Sequence, residues 1–578
     1  MIREHEIQRV ELHDRGDSFW RSSRRASRPN ETKKTYLNDS ELPSLYETLL
    51  EAKTSYSSNT NKRFIPLDKL ELAGNRELVE RTLKEEGILP DEVSILSDKI
   101  CYDQSTNGKN SFFRIFAILV LCEKVECIRK FVDQGIDDAC LPLPTMERSQ
   151  GGINMLLHKH GPKVDPKKLK QLFQDRKEWT QGLLNNFNTY QWWVIAPFFD
   201  RNDNTIPHYI LEADDVLPFT EKKNHLDNMV ESMDAEVKEA ILGGGFSDVF
   251  IVKIHQSHYS FRYQPYSDGS HSFALKALKS SNTSEFRLEV EAHRKCNYGM
   301  EKHLIPLLAT IQKEEDDIDK YYLLFPKANG DLRHFWETKF SENSDRSLLR
   351  WMAEQCLGIA RALSILHQDQ DPDKKEDHPI YGRHGDVKAG NILWFSNPEI
   401  PGPAGWRLVL SDFGLMRFHR AISISAQTAS KLKKTLTYQA PEFEIIGAKV
   451  SRKSDVWALG CTFLEFTTCY IRSYKAVDQE FPSCRGEDDR KLPGLSEDRF
   501  YRIIDNGRRA ELKQGVREWI SDLRHDPKCT SYLCDLLDFI EHKMLCIEIK
   551  ERPTAAEVAD KLESLLPTTF QGEKKPRK

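Results

Sequence analysis

Residues 384–393 read His-Gly-Asp-Val-Lys-Ala-Gly-Asn-Ile-Leu, the most informative ten residues of the chain. They place Asp386, Lys388 and Asn391 within six residues, directly before an apolar pair. Asp412 follows twenty-one residues after Asn391, at the end of the apolar run Leu-Val-Leu. Two polar clusters thus border apolar, strand-like runs, and the chemistry of the chain is expected there.

A lysine and a glutamate upstream extend this pattern. Lys276 ends the apolar run Phe-Ala-Leu-Lys, and a lysine in such a strand needs a reason to point inward, because burying an unpaired charge is costly. Glu289 lies thirteen residues later in the helix-like run Phe-Arg-Leu-Glu-Val-Glu-Ala-His, where it is placed to pair with Lys276. Glu291 is the fallback partner, but it would face about 200° away on a helix.

Three consecutive glycines, Gly243 to Gly245, stand in the run Ile-Leu-Gly-Gly-Gly-Phe-Ser-Asp-Val that ends at Val249. Because glycine has no Cβ, backbone N–H groups in such a run can come close to a bound anion. Taken alone, the run is more typical of an ordinary turn.

In their order and spacing, these segments resemble a eukaryotic protein kinase domain of the serine/threonine type over roughly residues 237–567. The match extends to Ala-Pro-Glu at 440–442, to Ser-Asp-Val-Trp-Ala-Leu-Gly at 454–460 and to Arg552. The run Gln-Trp-Trp-Val-Ile-Ala-Pro-Phe-Phe at 191–199 is also similar to a group of filamentous-fungal protein kinases with a helical N-terminal region. The resemblance implies an α+β, bilobal protein-kinase-like fold, with a five-stranded antiparallel β small lobe and a mainly α large lobe, preceded by a small all-α domain.

The resemblance also implies roles for individual residues. Asp386 would be the catalytic base, and Lys388 would neutralise charge on the γ-phosphate. Lys276, held by Glu289, would pair with the α- and β-phosphates, and Thr435 would bridge Asp386 and Lys388. The remaining expectations are ATP contacts at Gly243, Gly244, Gly245, Val249, Ala274, Lys276, Phe325, Pro326 and Ala328, and Mg²⁺ ligands at Asn391 and Asp412.

Three positions depart from the family pattern. Leu242 and Ser247 stand where the family has glycines, and Gly385 stands where it has an arginine that reads a phosphate on the activation loop. Two alternatives therefore stay open: an active serine/threonine kinase that uses ATP and Mg²⁺, and a pseudokinase that binds or scaffolds without transfer. Gly385 also suggests the hypothesis that activity does not require activation-loop phosphorylation. A small-molecule kinase is disfavoured, because the Ala-Pro-Glu motif and Thr435 build a peptide-docking platform.

The rest of the chain divides by composition and periodicity. Residues 1–38 are rich in Arg, Ser, Asp and Asn and predict a disordered leader. Helical spacing of apolar residues predicts a helical domain over 39–187. Residues 188–236, which begin with a short, aromatic, β-like run, predict a bridging segment packed on the small lobe. The kinase-like domain follows over 237–567, and residues 568–578 predict a basic tail.

Bulk properties limit the function classes. The chain has 578 residues, too many for one compact core, and its formal net charge of −5 argues against bulk nucleic-acid binding. The most apolar run, 112–122, is too short for a bilayer, which takes roughly 20 apolar residues. His158 and His160 have no metal-ligating partner nearby in sequence and are expected at the surface. We therefore expect a cytoplasmic or nuclear protein whose partners are ATP, proteins with Ser/Thr hydroxyls, and a partner or regulator of the helical domain, without nucleic-acid or membrane binding.

Overall fold

The fold comes from a computed structural model of the 578-residue chain. It describes residues 43–55, 62–101, 111–149, 152–162, 164–200, 205–224, 247–261, 271–279, 283–297, 301–340, 346–367, 383–412, 436–487 and 498–570. The predicted leader 1–38, the glycine run 243–245 and Thr435 lie outside these residues.

The described N-terminal residues form eight α-helices and one β-hairpin. The helices are α1 (Leu45–Ala52), α2 (Leu67–Ala73), α3 (Arg76–Glu85), α4 (Pro90–Ile100), α5 (Phe113–Leu121), α6 (Ile128–Gln134), α7 (Pro166–Phe173) and α8 (Gln181–Val194), and the hairpin pairs β1 (Thr145–Ser149) with β2 (Gly152–Leu156). Ser44 and Glu47 form a capping box at the start of α1. The predicted helices are confirmed, and the hairpin is an element that the sequence interpretation missed.

Helix α8 crosses the predicted boundary between residues 187 and 188. It begins after Thr180, whose side chain caps the helix. Its buried residues follow helical spacing: Leu184, Phe187, Gln191, Trp192, Trp193 and Val194. The β-like interpretation of Tyr190 to Phe199 is therefore wrong as far as Val194, and only Phe199 forms a β-bridge, to Tyr259.

The small lobe is a six-stranded sheet with one long helix packed against it. In spatial order the strands are β3 (His208–Leu211), β7 (Ala309–Glu315), β8 (Ile318–Pro326), β6 (Ser272–Leu278), β5 (Ser247–Ile254) and β4 (Phe219–Asn224), and the helix is α9 (Thr283–Asn297). Neighbouring strands are antiparallel except β3 and β7, which are parallel. Strands β3 and β4 precede residue 237, so the sheet has one strand more than predicted and begins earlier in the chain.

The large lobe is mainly helical, as predicted. Its helices are α10 (Leu332–Lys339), α11 (Arg346–His367), α12 (Lys453–Ile471), α13 (Phe481–Glu487), α14 (Gln514–His525), α15 (Ser531–Phe539) and α16 (Ala555–Phe570), and its strands are β9 (Gly330–Asp331), β10 (Ile392–Ser396), β11 (Trp406–Leu410), β12 (Tyr501–Ile504) and β13 (Arg509–Leu512). Helix α12 is buried along almost its whole length and forms the centre of the lobe. The predicted tail 568–578 begins inside α16. Within the described ranges, no helix combines the length and apolar character needed to cross a membrane.

His258 joins the N-terminal helices to the small lobe. Its imidazole Nε2 accepts a hydrogen bond from the backbone N–H of Leu67 at 3.2 Å, and its Nδ1 lies 3.0 Å from the carbonyl oxygen of Pro197. The ring also packs edge-on against Phe64. Burial lowers the pKa of His258 to about 3, so the ring is neutral and its Nδ1 donates to Pro197.

Candidate active site

Lys276 forms the centre of a three-residue ionic cluster between the lobes. Its Nζ donates hydrogen bonds to Glu289 Oε1 on α9 at 2.7 Å and to Asp412 Oδ1 at 3.0 Å. Burial acts to lower the pKa of Lys276, but the charges of Asp412 and Glu289 outweigh it and raise the pKa. The charge of Lys276 in turn lowers the pKa of Asp412 to about 2. Lys276 and Asp412 are therefore both ionised at neutral pH.

The segment 384–391 gathers two side chains around Asp386. Lys388 Nζ donates to Asp386 Oδ2 at 2.5 Å. Asn391 Nδ2 donates to the same oxygen at 2.8 Å and to the Asp386 carbonyl at 2.8 Å. Since both donors reach one carboxylate oxygen, the loop itself fixes the orientation of the Asp386 side chain.

Asp455, on α12, holds the backbone of this loop. Its Oδ2 accepts a hydrogen bond from the His384 N–H at 2.8 Å, and its Oδ1 accepts one from the Gly385 N–H at 2.9 Å. The imidazole of His367, at the end of α11, bonds to Oδ2 at 2.8 Å. Burial acts to raise the pKa of Asp455, but these hydrogen bonds, with that of His367 foremost, lower it. His367 is a supporting residue that the sequence analysis did not identify.

Backbone contacts connect this loop to Asp412. The N–H of Ser411 donates to the carbonyl oxygen of Asn391 at 2.9 Å, and the Nε2 of His384 lies 3.0 Å from the carbonyl oxygen of Ser411. Asp412 itself has a φ of +63°, in the left-handed region that side chains other than glycine disfavour. Strained backbone of this kind is maintained where the surroundings and the function require it.

The predicted adenine-side residues lie on neighbouring strands of the small lobe. They are Val249 on β5, Ala274 on β6, Phe325 and Pro326 on β8, and Ala328 just after β8. Ala274 is directly opposite Phe325 in the strand register, and Val249 is opposite Lys276. The strand pairing therefore brings this group together beside the Lys276 cluster.

His293 is a further residue beside this group that the sequence analysis missed. Its ring centroid lies 5.1 Å from that of Phe325. Burial lowers the pKa of His293 to about 3, so the ring is neutral at physiological pH. His293 follows Glu289 by four residues, and this spacing on one helix face was the signal that could have identified it.

Gly243, Gly244, Gly245 and Thr435 lie outside the described residues. Their neighbours are described: β5 begins at Ser247, and the chain resumes at Leu436 directly after Thr435. The glycine run therefore precedes the strand that pairs with the Lys276 strand.

The donor set at the cleft suits a hard cation. Asn391 uses its Nδ2 for Asp386, so its amide oxygen is the atom suited to a metal, and Asp412 offers a carboxylate that is 43% exposed. Carboxylate and amide oxygens are ligands for Mg²⁺, which in such sites also binds substrate phosphates and water. The described residues contain no cluster of three or more His, Cys, Asp and Glu side chains arranged for a metal. Asn391 and Asp412 are thus the residues that could hold Mg²⁺ together with a phosphate ligand.

Comparison with known proteins agrees with this geometry. The family model of the protein kinase domain matches residues 259–562, more than half of the chain. Relatives include the receptor-like protein kinase HAIKU2 of Arabidopsis thaliana, 30% identical over 263 residues, which are 42% of this chain and 23% of that protein. The proline-rich receptor-like protein kinase PERK15 of the same plant is 28% identical over 200 residues, 34% of this chain and 33% of that protein.

The serine/threonine-protein kinase ppk13 of Schizosaccharomyces pombe is 25% identical over 281 residues, which are 41% of this chain and 74% of that protein. The chain spans only 23% and 33% of the two plant relatives, so their remaining segments have no counterpart in the match. The match of the family model and the geometry of the Lys276 and Asp386 clusters lead to one assignment: this chain belongs to the protein kinase domain family.

Proposed function

We propose that this chain is a serine/threonine protein kinase that transfers the γ-phosphate of ATP to protein hydroxyls, with Asp386 as catalytic base. The observation that carries the proposal is the ionic cluster in which Lys276 contacts Glu289 at 2.7 Å and Asp412 at 3.0 Å. Phosphoryl transfer needs this cluster, because the lysine must be held toward the phosphates.

The chain's own residues divide the work of transfer. Lys276 binds and orients the α- and β-phosphates, with Glu289 fixing its position. Asp386 orients the substrate hydroxyl and accepts its proton, and Lys388 compensates negative charge on the γ-phosphate. Lys388 already lies 2.5 Å from Asp386, so the ammonium is close to the point where the hydroxyl must bind. Most of the catalysis would thus come from positioning and electrostatics.

Mg²⁺ bound by Asp412 and Asn391 would neutralise charge on the ATP phosphates. The preference for Ser/Thr over Tyr is supported by Lys388, two residues after Asp386, and by the names of relatives such as the fission-yeast serine/threonine kinase. Membership of the filamentous-fungal kinase group stays part of this proposal. It rests on the resemblance of runs such as 191–199 and on Gly385.

A pseudokinase scaffold is the second candidate. It is favoured by Leu242 and Ser247, which replace two glycines of the nucleotide loop, and by Gly385 before the proposed base. Losing loop glycines weakens nucleotide positioning, whereas losing Asp386 or Asp412 would remove the chemistry itself. Both aspartates are present, which favours the active enzyme.

The test is transfer from radiolabelled ATP, with Mg²⁺ and a mixture of generic protein substrates, beside an Asp386→Asn control. We expect label on serine or threonine with the natural chain and none with the control. Label that persists in the control would come from a contaminating kinase. No label with the natural chain, while it still binds nucleotide, would overturn the proposal in favour of the scaffold.

A further inference from the structure

Strand β3 adds a segment from outside the kinase family match to the small-lobe sheet. It spans His208–Leu211, whereas the family model begins at residue 259. The strand lies at the sheet edge and pairs in parallel with β7, with His208 opposite Thr310. Its position at the end of the sheet places it beside α9, the helix that carries Glu289.

The side chain of His208 contacts α9 directly. It is 7% exposed, its Nδ1 lies 2.9 Å from Thr310 Oγ1, and its ring centroid lies 5.4 Å from that of Phe286 on α9. Phe286 also stacks on Tyr321 of β8, with ring centroids 4.5 Å apart. The Tyr321 hydroxyl also bonds to Thr283 Oγ1 at 2.8 Å. Phe286 therefore contacts two aromatic rings, one of which comes from β3.

Phe286 precedes Glu289 by three residues, less than one helical turn. Residues three apart on a helix lie on neighbouring positions of one face, so a shift of Phe286 moves Glu289 with it. Glu289 holds Lys276 at 2.7 Å. The contact chain His208–Phe286–Glu289–Lys276 thus runs from β3 to the centre of the candidate active site.

The other end of β3 is fixed to the N-terminal domain. Glu212, directly after the strand, accepts a hydrogen bond from the His160 N–H at 2.7 Å, and its second oxygen lies 3.0 Å from His158 Nδ1. Lys313 of β7 donates to the carbonyls of Glu212 at 2.7 Å and of Asp215 at 2.9 Å. The turn after β3 is therefore tied both to the sheet and to the helical domain.

We propose that His208 is a positioning residue through which the N-terminal domain and β3 hold α9, and with it the Lys276–Glu289 pair, in the arrangement required for transfer. The inference rests on the proposed kinase function. It makes the helical domain a built-in support of the active arrangement.

The test uses the full chain and compares His208→Ala with His208→Phe and Tyr209→Phe. Tyr209 is the matched control, because it is on the same strand, packs on the other face against Phe199 and bonds to Asp200. Hydrogen exchange of α9 measures how firmly the helix is held, and kcat and KM measure transfer. Amide hydrogen exchange of α9 can be measured without catalysis, so it tests the proposal even if the chain transfers no phosphate.

We expect His208→Ala to speed exchange in α9 by about fivefold, the change that about 1 kcal/mol produces. The kcat should fall by a similar factor, with the KM for a protein substrate unchanged. His208→Phe keeps the ring against Phe286 and should restore both values, whereas Tyr209→Phe should leave exchange in α9 unchanged.

Unchanged α9 exchange in His208→Ala, or equal effects of His208→Ala and Tyr209→Phe, would overturn the proposal. Absence of transfer by the natural chain, with faster α9 exchange in His208→Ala, would refute the proposed function alone.

Discussion

Gly385 shows how one residue can relieve strain in the loop 384–391. Its φ is +80°, and its N–H donates to Asp455 Oδ1 at 2.9 Å. A residue with a Cβ adopts this left-handed conformation only at a cost of roughly 1–2 kcal/mol. With glycine at this position, the chain lacks the arginine side chain of the family pattern, but the backbone of the loop is unstrained.

We predict that Gly385→Ala lowers the free energy of unfolding by about 1 kcal/mol, because alanine must take the strained conformation. Urea unfolding followed by fluorescence measures the change. Gly390→Ala is the matched control in the same loop, since a Cβ there would meet its nearest atoms only at 3.8 Å and 4.0 Å. Equal destabilisation by the two substitutions would contradict the explanation by strain.

Glu289 is the second residue with a specific prediction. Glu289→Gln removes a charge-assisted hydrogen bond that holds Lys276, and such bonds contribute about 1.5–3 kcal/mol. We therefore expect kcat to fall by roughly tenfold to a hundredfold. Glu291→Gln is the control, because Glu291 is on the same helix and its ion pair, with Arg294 at 3.9 Å, does not involve Lys276. Steady-state kinetics measure kcat for both variants. An equal fall of kcat in the two variants would exclude a special role for Glu289.

At the scale of elements, the contact between the N-terminal domain and the residues after β3 contains a titratable histidine, His158. His158 has a side chain that is 9% exposed, with Glu212, the charge of Asp214, the Leu143 carbonyl and the edge of Trp192 around it. Burial acts to lower the pKa of His158, but the hydrogen bond and charge of Glu212 outweigh it and raise the pKa. The expectation that His158 is a surface histidine is therefore wrong, whereas His160 is exposed as expected.

A histidine whose pKa is raised on folding stabilises the fold at pH values below its unfolded pKa of about 6.5. That stabilisation is lost as the pH rises through the raised pKa. We predict that the natural chain loses about 1.5 kcal/mol of stability over this interval relative to His158→Gln. The deprotonated ring loses its positive charge beside Glu212 and can donate only one of its two hydrogen bonds, to Glu212 or to the Leu143 carbonyl. Thermal unfolding as a function of pH measures the difference. His160→Gln should behave like the natural chain, and a pH profile of His158→Gln parallel to the natural one would refute the prediction.

The elements also show what could be predicted from the sequence. The Lys276–Glu289 contact was predictable because both residues match positions that are paired in the protein kinase pattern, and because a lysine in an apolar strand needs a partner of opposite charge. The hydrogen bond between His158 and Glu212 joins residues 54 positions apart in the sequence. It depends on how the helical domain packs against the small lobe, and no local sequence pattern indicates it. In α8, the aromatic residues suggested a strand because they favour sheets, although the spacing of the buried residues already indicated a helix.

At the scale of the whole molecule, the segment between the helical domain and the small lobe contributes residues to the cores of both. The core of the N-terminal region includes Val216, which comes after β3 in the chain, and the small-lobe core includes Phe199, which comes before it. The segment predicted as a bridge is thus divided between two cores. This exchange of residues explains why a boundary based on composition at 187/188 or at 236/237 does not coincide with the packing.

Arg552 joins distant parts of the large lobe. Its guanidinium is fully buried and contacts both carboxylate oxygens of Glu442, at 2.8 Å and 3.0 Å, and the Lys453 carbonyl at 2.9 Å. The pair therefore connects the Ala-Pro-Glu residues 440–442, the start of α12 and the turn before α16. Because both charges are removed from water, neither can lose its partner without a large penalty.

We predict that Arg552→Met costs about 3–5 kcal/mol, because Glu442 is left as an uncompensated buried charge. Arg552→Lys should recover only part of the loss, since lysine cannot form the two-pronged contact. Arg350→Met is the control: its ion pair with Glu354 is exposed, and we expect less than about 1 kcal/mol. Urea unfolding of the full chain measures the stability of all three single variants.

The double variant Arg552→Met with Glu442→Leu should regain most of the stability, because an apolar pair carries no desolvation cost. If it stays as unstable as Arg552→Met alone, the loss comes from the packing of the arginine side chain and not from the buried charge.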